Sequence, residues 1–224
     1  MKVIKAIPDL SAEVVRRGTT GFVLAGGGSR RMGRDKAQLS WGSGTLLSHA
    51  VGILSKVCSK VFVVGAKDDS DAPAPVVADS FAGLGPLAGI HAALANTTTE
   101  WNLVLAVDLP LISAELLTFI REQCEVGRLA IVPRIREFWQ PLCAVYSQAI
   151  TEAVSTELTH GRTSIHSLLE RLSAGMINGK TSCIRTVEQS ELLEHGFAAE
   201  MFTNVNTPQD LERARSLAHL VHGD

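Results

Sequence analysis

The sequence predicts an α/β fold of three layers, α/β/α, with helices on both faces of a mostly parallel sheet. Three observations lead there. Short apolar runs alternate with stretches of helical periodicity along most of the 224 residues, the pattern of repeated βα units. Residues 102–107 (NLVLAV) read as a strand apolar on both faces, as strands buried between two helical layers are. The residues with chemical potential, Gly26, Asp79 and Asp108, fall at the ends of expected strands, where open α/β sheets bind ligands.

The elements follow in order. Residues 21–25 (GFVLA) form the first expected strand. Residues 44–57 place Leu46, Leu47, Ala50, Val51 and Leu54 at helical spacing. Residues 60–65 (KVFVVG) are rich in β-branched side chains and stop at Gly65. A polar, turn-forming stretch (AKDDSDAPAP) precedes a short VVA segment and Asp79. Pro86 opens a helix to Asn96, because its missing N–H costs nothing in a first helical turn. After the strand at 102–107, Ser113 caps a helix with Leu116, Leu117 and Ile120 on one face. Strands at 129–133 (LAIVP) and 141–147 (PLCAVYS) and a helix over 148–157 come next. Beyond residue 160 the pattern thins to a helix over 163–172, a strand near 182–186 and a last helix from Thr207. With no internal repeat, linker or low-complexity segment, the organisation reads as a leader, 1–19, and one domain, 20–224.

Composition narrows the function. Lys and Arg number 21 against 23 Asp and Glu, a net charge of −2. Nucleic-acid binders ordinarily carry a basic excess, and a single Tyr with seven Phe offers few stacking platforms. No nucleic-acid partner is expected. No apolar run approaches the roughly 20 residues of a membrane span. The first residues carry Pro8, Asp9 and Glu13 where a secretory signal has a continuous apolar core. The four cysteines form no C-x-x-C pair and sit in apolar contexts, so they read as buried, reduced thiols. A cytoplasmic protein without a membrane partner is expected.

Residues 24–36 (LAGGGSRRMGRDK) concentrate four glycines, three arginines and a lysine directly after an apolar run. The stretch is no Walker A loop, since Arg34 and Asp35 follow Gly33 where Lys and Ser or Thr belong. It is no dinucleotide fingerprint either, because Arg31 stands at the third glycine position. A nominal G-x-G-x-x-A at Gly83, Gly85 and Ala88 lacks a strong strand before it. Physically, Gly26, Gly27 and Gly28 let backbone N–H groups approach a triphosphate closely. Arg31 and Lys36 would neutralise its charge, one as a fork and the other as a mobile point charge. The competing reading is a solvated loop between strand and helix. Asp108, in VDLP, is a natural Mg²⁺ ligand at a strand end, or else a cap for the helix that follows. His91, His160 and His166 lie outside these motifs, and His91 reads as structural.

These motifs resemble one family. Residues 24–36 fit L-A-G-G-x-S-x-R-M-G-x-D-K throughout. With Asp79-Ser80, Gly85-Pro86-Leu87-Ala88-Gly89, Asp108-Leu109-Pro110 and Asn204-Val205-Asn206-Thr207-Pro208, the chain resembles the molybdenum cofactor guanylyltransferases over residues 20–218. The Gln140-Pro141-Leu142 strand start, Tyr146 and the Gly161-Arg162 helix are similar too. The resemblance implies a Rossmann-like, GT-A-like nucleotidyltransferase fold and transfer of GMP from GTP to the terminal phosphate of molybdopterin. It implies that Leu24, Ala25, Gly26, Gly27 and Gly85 hold the nucleotide, that Lys36 and Arg31 contact its phosphates, and that Asp79 belongs to the GTP site. Asp108 would bind both GTP and Mg²⁺, and Asn204 and Asn206 would receive molybdopterin. Transient contact with other proteins of cofactor biosynthesis or molybdoenzyme maturation is a further implication. A related transferase using CTP on molybdopterin, one that builds an activated sugar, and a nucleotide-binding protein without turnover are the competing readings.

Overall fold

A computed structural model describes residues 18–26, 35–66, 72–79, 81, 83–175 and 183–222. Ten strands are present among them. They are β1 (Thr19–Leu24), β2 (Ser40–Trp41), β3 (Gly44–Thr45), β4 (Lys60–Val64), β5 (Val76–Val77), β6 (Trp101–Ala106), β7 (Ala130–Ile135), β8 (Phe138–Trp139), β9 (Cys143–Ser147) and β10 (Ile184–Glu188). The helices are α1 (Leu46–Val57), α2 (Pro86–Ala95), α3 (Ala114–Glu122), α4 (Thr151–Thr159), α5 (Ile165–Ser173), α6 (Gln189–Glu194) and α7 (Pro208–His222).

The main sheet runs β10-β7-β9-β6-β1-β4-β5, with β8 paired to β7, while β2 and β3 form a separate hairpin. β1 pairs in parallel with both β4 and β6, β4 with β5, and β7 with β10. β9 is antiparallel to both its neighbours, β6 and β7. The expected mostly parallel sheet is therefore present with one reversed central strand. The reversal is made at Arg136 and Glu137, both at positive φ, which fold β8 back along β7; β9 then continues in the direction of β8.

Strand alternation sorts the core into two faces. Val23, Val63, Leu103, Leu105, Ile131 and Val145 pack with α1, α3, α6 and α7. Phe22, Leu24, Val104, Val132, Ala144 and Tyr146 pack with α2, α4 and α5. This is the expected three-layer arrangement. Local signals fix the helix starts. Thr45 and Ser48 bond reciprocally in a capping box, so α1 begins at Leu46 rather than 44. Ser113 caps α3 as expected, and Ser164 caps α5.

One expectation needs correction. β6 is not apolar throughout: Asn102 is fully buried within it. Its amide donates to the carbonyls of Thr99 and Tyr146, and its Oδ1 accepts from the Thr99 hydroxyl. A buried amide satisfied this way carries little desolvation cost. Cys58, Cys143 and Cys183 are buried and Cys124 is half-buried, in line with the apolar contexts read from the sequence. Burial pushes the Cys58 and Cys124 thiols up to about 12. No helix among the described residues is long and apolar enough to cross a membrane. The leader falls almost wholly outside the described residues.

Candidate active site

The parallel strands deliver their carboxyl ends to one edge of the sheet, and a cavity of about 640 Å³ opens there. Leu24, Ala25 and Gly26 follow β1, Gly65 follows β4, Asp79 follows β5, and Asp108 follows β6; all line it. Hydrogen bonds outside the strands tie these ends together. The Ala25 N–H donates to the Val64 carbonyl at 2.9 Å, and the Val107 N–H to the Leu24 carbonyl at 3.1 Å. The cavity floor thus continues the sheet rather than hanging from loops.

Gly26 and Gly65 stand back to back. A Cβ on Gly65 would lie 2.9 Å from the Gly26 Cα, and Gly65 has φ +74°. Only glycine permits both that conformation and that approach. The sequence marks Gly65 as no more than the end of a strand, yet it packs against the backbone of Gly26. Gly89, on α2, is similar on a smaller scale: its Cβ position meets the Leu24 side chain at 3.4 Å. Gly85, at φ +81°, precedes Pro86 and starts α2 with no side-chain cap. The uncapped N-terminus of α2 borders the cavity and turns the positive end of the helix dipole toward it. β5 ends several residues before Gly83, so no strand-to-helix dinucleotide turn exists there.

Lys36 begins a 3-10 turn, Lys36–Gln38, in which the Asp35 carboxylate accepts from the Ala37 N–H at 3.1 Å. Ala37 is buried, which anchors the turn and holds Lys36 at the cavity. The Lys36 ammonium donates to the Asn206 Oδ1 at 2.6 Å and lies 3.4 Å from the Asp108 Oδ2. The other Asp108 oxygen, Oδ1, is buried and has no hydrogen-bond partner. A carboxylate oxygen left bare inside a cavity is costly unless a ligand fills the place. Asp79 accepts from the Phe81 N–H at 2.9 Å, which fixes its turn at the rim.

The residues singled out from the sequence are sorted by this geometry. Leu24, Ala25, Gly26, Lys36, Asp79, Gly85, Asp108 and Asn206 come together around one cavity. Gly27 and Arg31 lie outside the described residues. Asn204 is exposed and does not line the cavity. Between it and Asn206, Val205 is fully buried and donates its N–H to the Asp108 carbonyl at 2.8 Å. His91 packs edge-on against Phe81, with ring centroids 4.9 Å apart, and His160 bonds its own helix at the Thr156 carbonyl. Neither enters the cavity.

Other proteins are similar to this chain in sequence and fold. A probable molybdenum cofactor guanylyltransferase of Pelotomaculum thermopropionicum is 35% identical over 201 residues, which is 89% of this chain and 93% of the relative. One from Opitutus terrae is 33% identical over 87% of this chain and 94% of the relative. Among solved structures, the molybdopterin-guanine dinucleotide biosynthesis protein A of Archaeoglobus fulgidus superposes with a TM-score of 0.72 at 25% identity, covering 90% of this chain and 99% of that one. A 2-C-methyl-D-erythritol 4-phosphate cytidylyltransferase of Thermus thermophilus, at 19% identity and a TM-score of 0.62, shares the fold. The family model for the MobA-like NTP transferase domain matches residues 21–176, from the strand that leads into Gly26 to the end of α5. With the glycine turn, Lys36 and Asp108 converging on one cavity, the chain belongs to the MobA-like NTP transferase family.

Proposed function

We propose that the protein transfers GMP from GTP to the terminal phosphate of molybdopterin and releases pyrophosphate. One observation carries the reading: the Gly26 turn, Lys36 and Asp108 line a single cavity of about 640 Å³ at the carboxyl edge of the sheet. That volume suits a small-molecule substrate. The guanylyltransferase relatives support GTP and molybdopterin as the pair.

The site also fits a divalent cation. Asp108 offers a buried oxygen without a partner. Among the described residues no group of three or more His, Cys, Asp or Glu converges, so a cation here would be shared with substrate phosphates and water. Mg²⁺ characteristically binds that way. Bound there, it would neutralise charge on the phosphates as the leaving group departs.

The chain's own part is positioning and electrostatics. The Gly26 turn brings backbone close to the triphosphate, and Lys36 places a positive charge beside it. An oxygen of the acceptor phosphate forms the new bond to the α-phosphorus while the bond to the β-phosphate oxygen breaks. The acceptor is already anionic, so no side chain is assigned as general base. Asp79 and the α2 N-terminus border the nucleotide pocket.

A thermal-shift titration of wild type and Asp108→Asn with GTP, CTP, ATP and UTP, with and without Mg²⁺, tests this. GTP at a hundredfold over its Kd is expected to add about 2.7 kcal/mol of stability to wild type. The shift should shrink without Mg²⁺ or in Asp108→Asn. A shift confined to CTP would replace GTP as the donor, and no shift with any nucleotide would refute the mechanism.

A further inference from the structure

Asn206 makes its side-chain contact with Lys36, and both line the cavity. Its Oδ1 accepts from Lys36 at 2.6 Å, whereas the Asp108 carboxylate, a charged and intrinsically stronger acceptor, lies 3.4 Å from the same ammonium. A free ammonium–carboxylate pair closes to roughly 2.7–2.9 Å. The scaffold therefore holds Lys36 toward the neutral amide. The segment that does this is itself pinned at both ends. The Val205 N–H donates to the Asp108 carbonyl at 2.8 Å, and the Asn206 and Thr207 N–H groups donate to the Asp210 carboxylate at 3.0 and 2.8 Å. Asp210 and Thr207 form the capping box of α7, with the Asp210 N–H donating back to the Thr207 hydroxyl at 3.1 Å.

We infer that Asn206 is a positioning residue for Lys36: its amide oxygen takes the shorter of the ammonium's two bonds and keeps the ion pair with Asp108 long. Two consequences follow, both resting on the nucleotidyl-transfer reading. The ion pair with Asp108 stays long and engages Oδ2 alone, so Oδ1 is left for a cation. The amide, being neutral, takes nothing from the charge that Lys36 offers the phosphates, where a second carboxylate would cancel it. Without Asn206 the flexible lysine stem lets the ammonium close further onto Asp108.

The test is calorimetric binding of GTP and of GMP, each with Mg²⁺ and without any acceptor, to wild type, Asn206→Ala and Asn206→Asp. The triphosphate of GTP carries more charge for Lys36 to meet than the single phosphate of GMP, so Asn206→Ala is expected to weaken GTP about tenfold and GMP by clearly less. Asn206→Asp, nearly isosteric, controls for packing and must lose GTP affinity selectively as well. GTP affinity intact in either variant, or equal losses for GTP and GMP, would overturn the assignment. Wild type that binds no guanine nucleotide would instead refute the underlying function, an outcome readable before any variant is made.

Discussion

Replacing Gly65 by alanine tests whether the two glycine turns at the cavity floor are as closely packed as described. The added methyl would meet the Gly26 Cα at 2.9 Å and its N at 3.1 Å. Both are backbone atoms, so no side chain can rotate away. The φ of +74° adds left-handed strain of about 1–2 kcal/mol, and overpacking adds about 1–3 kcal/mol. Together these give a loss of about 2–5 kcal/mol, or roughly 5–15 °C in melting temperature for a chain of this size. Gly83→Ala separates the two contributions. Gly83 has φ +87°, but nothing lies within 4 Å of its Cβ position, so it should show the strain alone. Thermal melts of both variants without nucleotide provide the comparison. Gly65→Ala should also bind GTP more weakly, because Gly26 must shift. If the two variants melt together, the close approach of the Gly26 and Gly65 turns is wrong.

Three other predictions follow from features away from the cavity. The Glu157 carboxylate, 7% exposed, takes a two-pronged bond from Arg162 at 2.9 Å and a second partner in Arg171, and the Arg162 bond chiefly holds its carboxyl below the usual range. Its contribution is present above the unfolded carboxylate value of about 4.3 and is lost as pH falls through the lower folded value. Both arginines are partly exposed, so Glu157→Gln should cost about 2 kcal/mol at pH 7, below a fully buried pair; urea midpoints that differ equally at pH 7 and pH 3 would contradict the pairing. Arg121, 5% exposed, donates to the carbonyl of Val57 at the end of α1 at 2.7 Å, and its Nε has no partner. Arg121→Met should hold stability within about 1 kcal/mol, because a buried charge is removed along with its bond, whereas Arg121→Ala should lose about 3 kcal/mol, both read by urea unfolding. With their thiols raised to about 12 by burial, Cys58 and Cys124 should alkylate at pH 8 on the order of a thousandfold more slowly than in urea; equal rates would show that the native thiols are open.

Much of this was legible in the sequence because the strands that matter are apolar and the helices carry their caps in plain view. The runs ending at Leu24, Val64 and Ala106 needed no partner to be recognised, and Ser113 announced α3. Their carboxyl ends then fixed where Gly26, Asp79 and Asp108 had to meet. What stayed hidden depends on pairing between distant segments. The reversal of β9 follows from the turn at Arg136 and Glu137 and from which strands flank it, and alternation along a single run carries no direction. β2, β3 and β8 are two residues each, too short to leave a pattern. Gly65 looks like any strand-ending glycine until Gly26 is placed against it. The difference between Asn204, exposed, and Asn206, bonded to Lys36, arises from the buried Val205 between them.

The hydrogen bond from Val205 to Asp108 joins residues 97 positions apart, counting from 108 to 205. Every strand of the main sheet is already made by residue 188, and the family match ends at 176. A chain still emerging from the ribosome can therefore complete its sheet while Lys36 and Asp108 lack their third companion. The cavity closes only when the segment before α7 arrives and Leu211 and Ala214 seat the last helix on the core. The site in this sense belongs to more of the chain than the sheet does: forming the strands does not by itself make it whole.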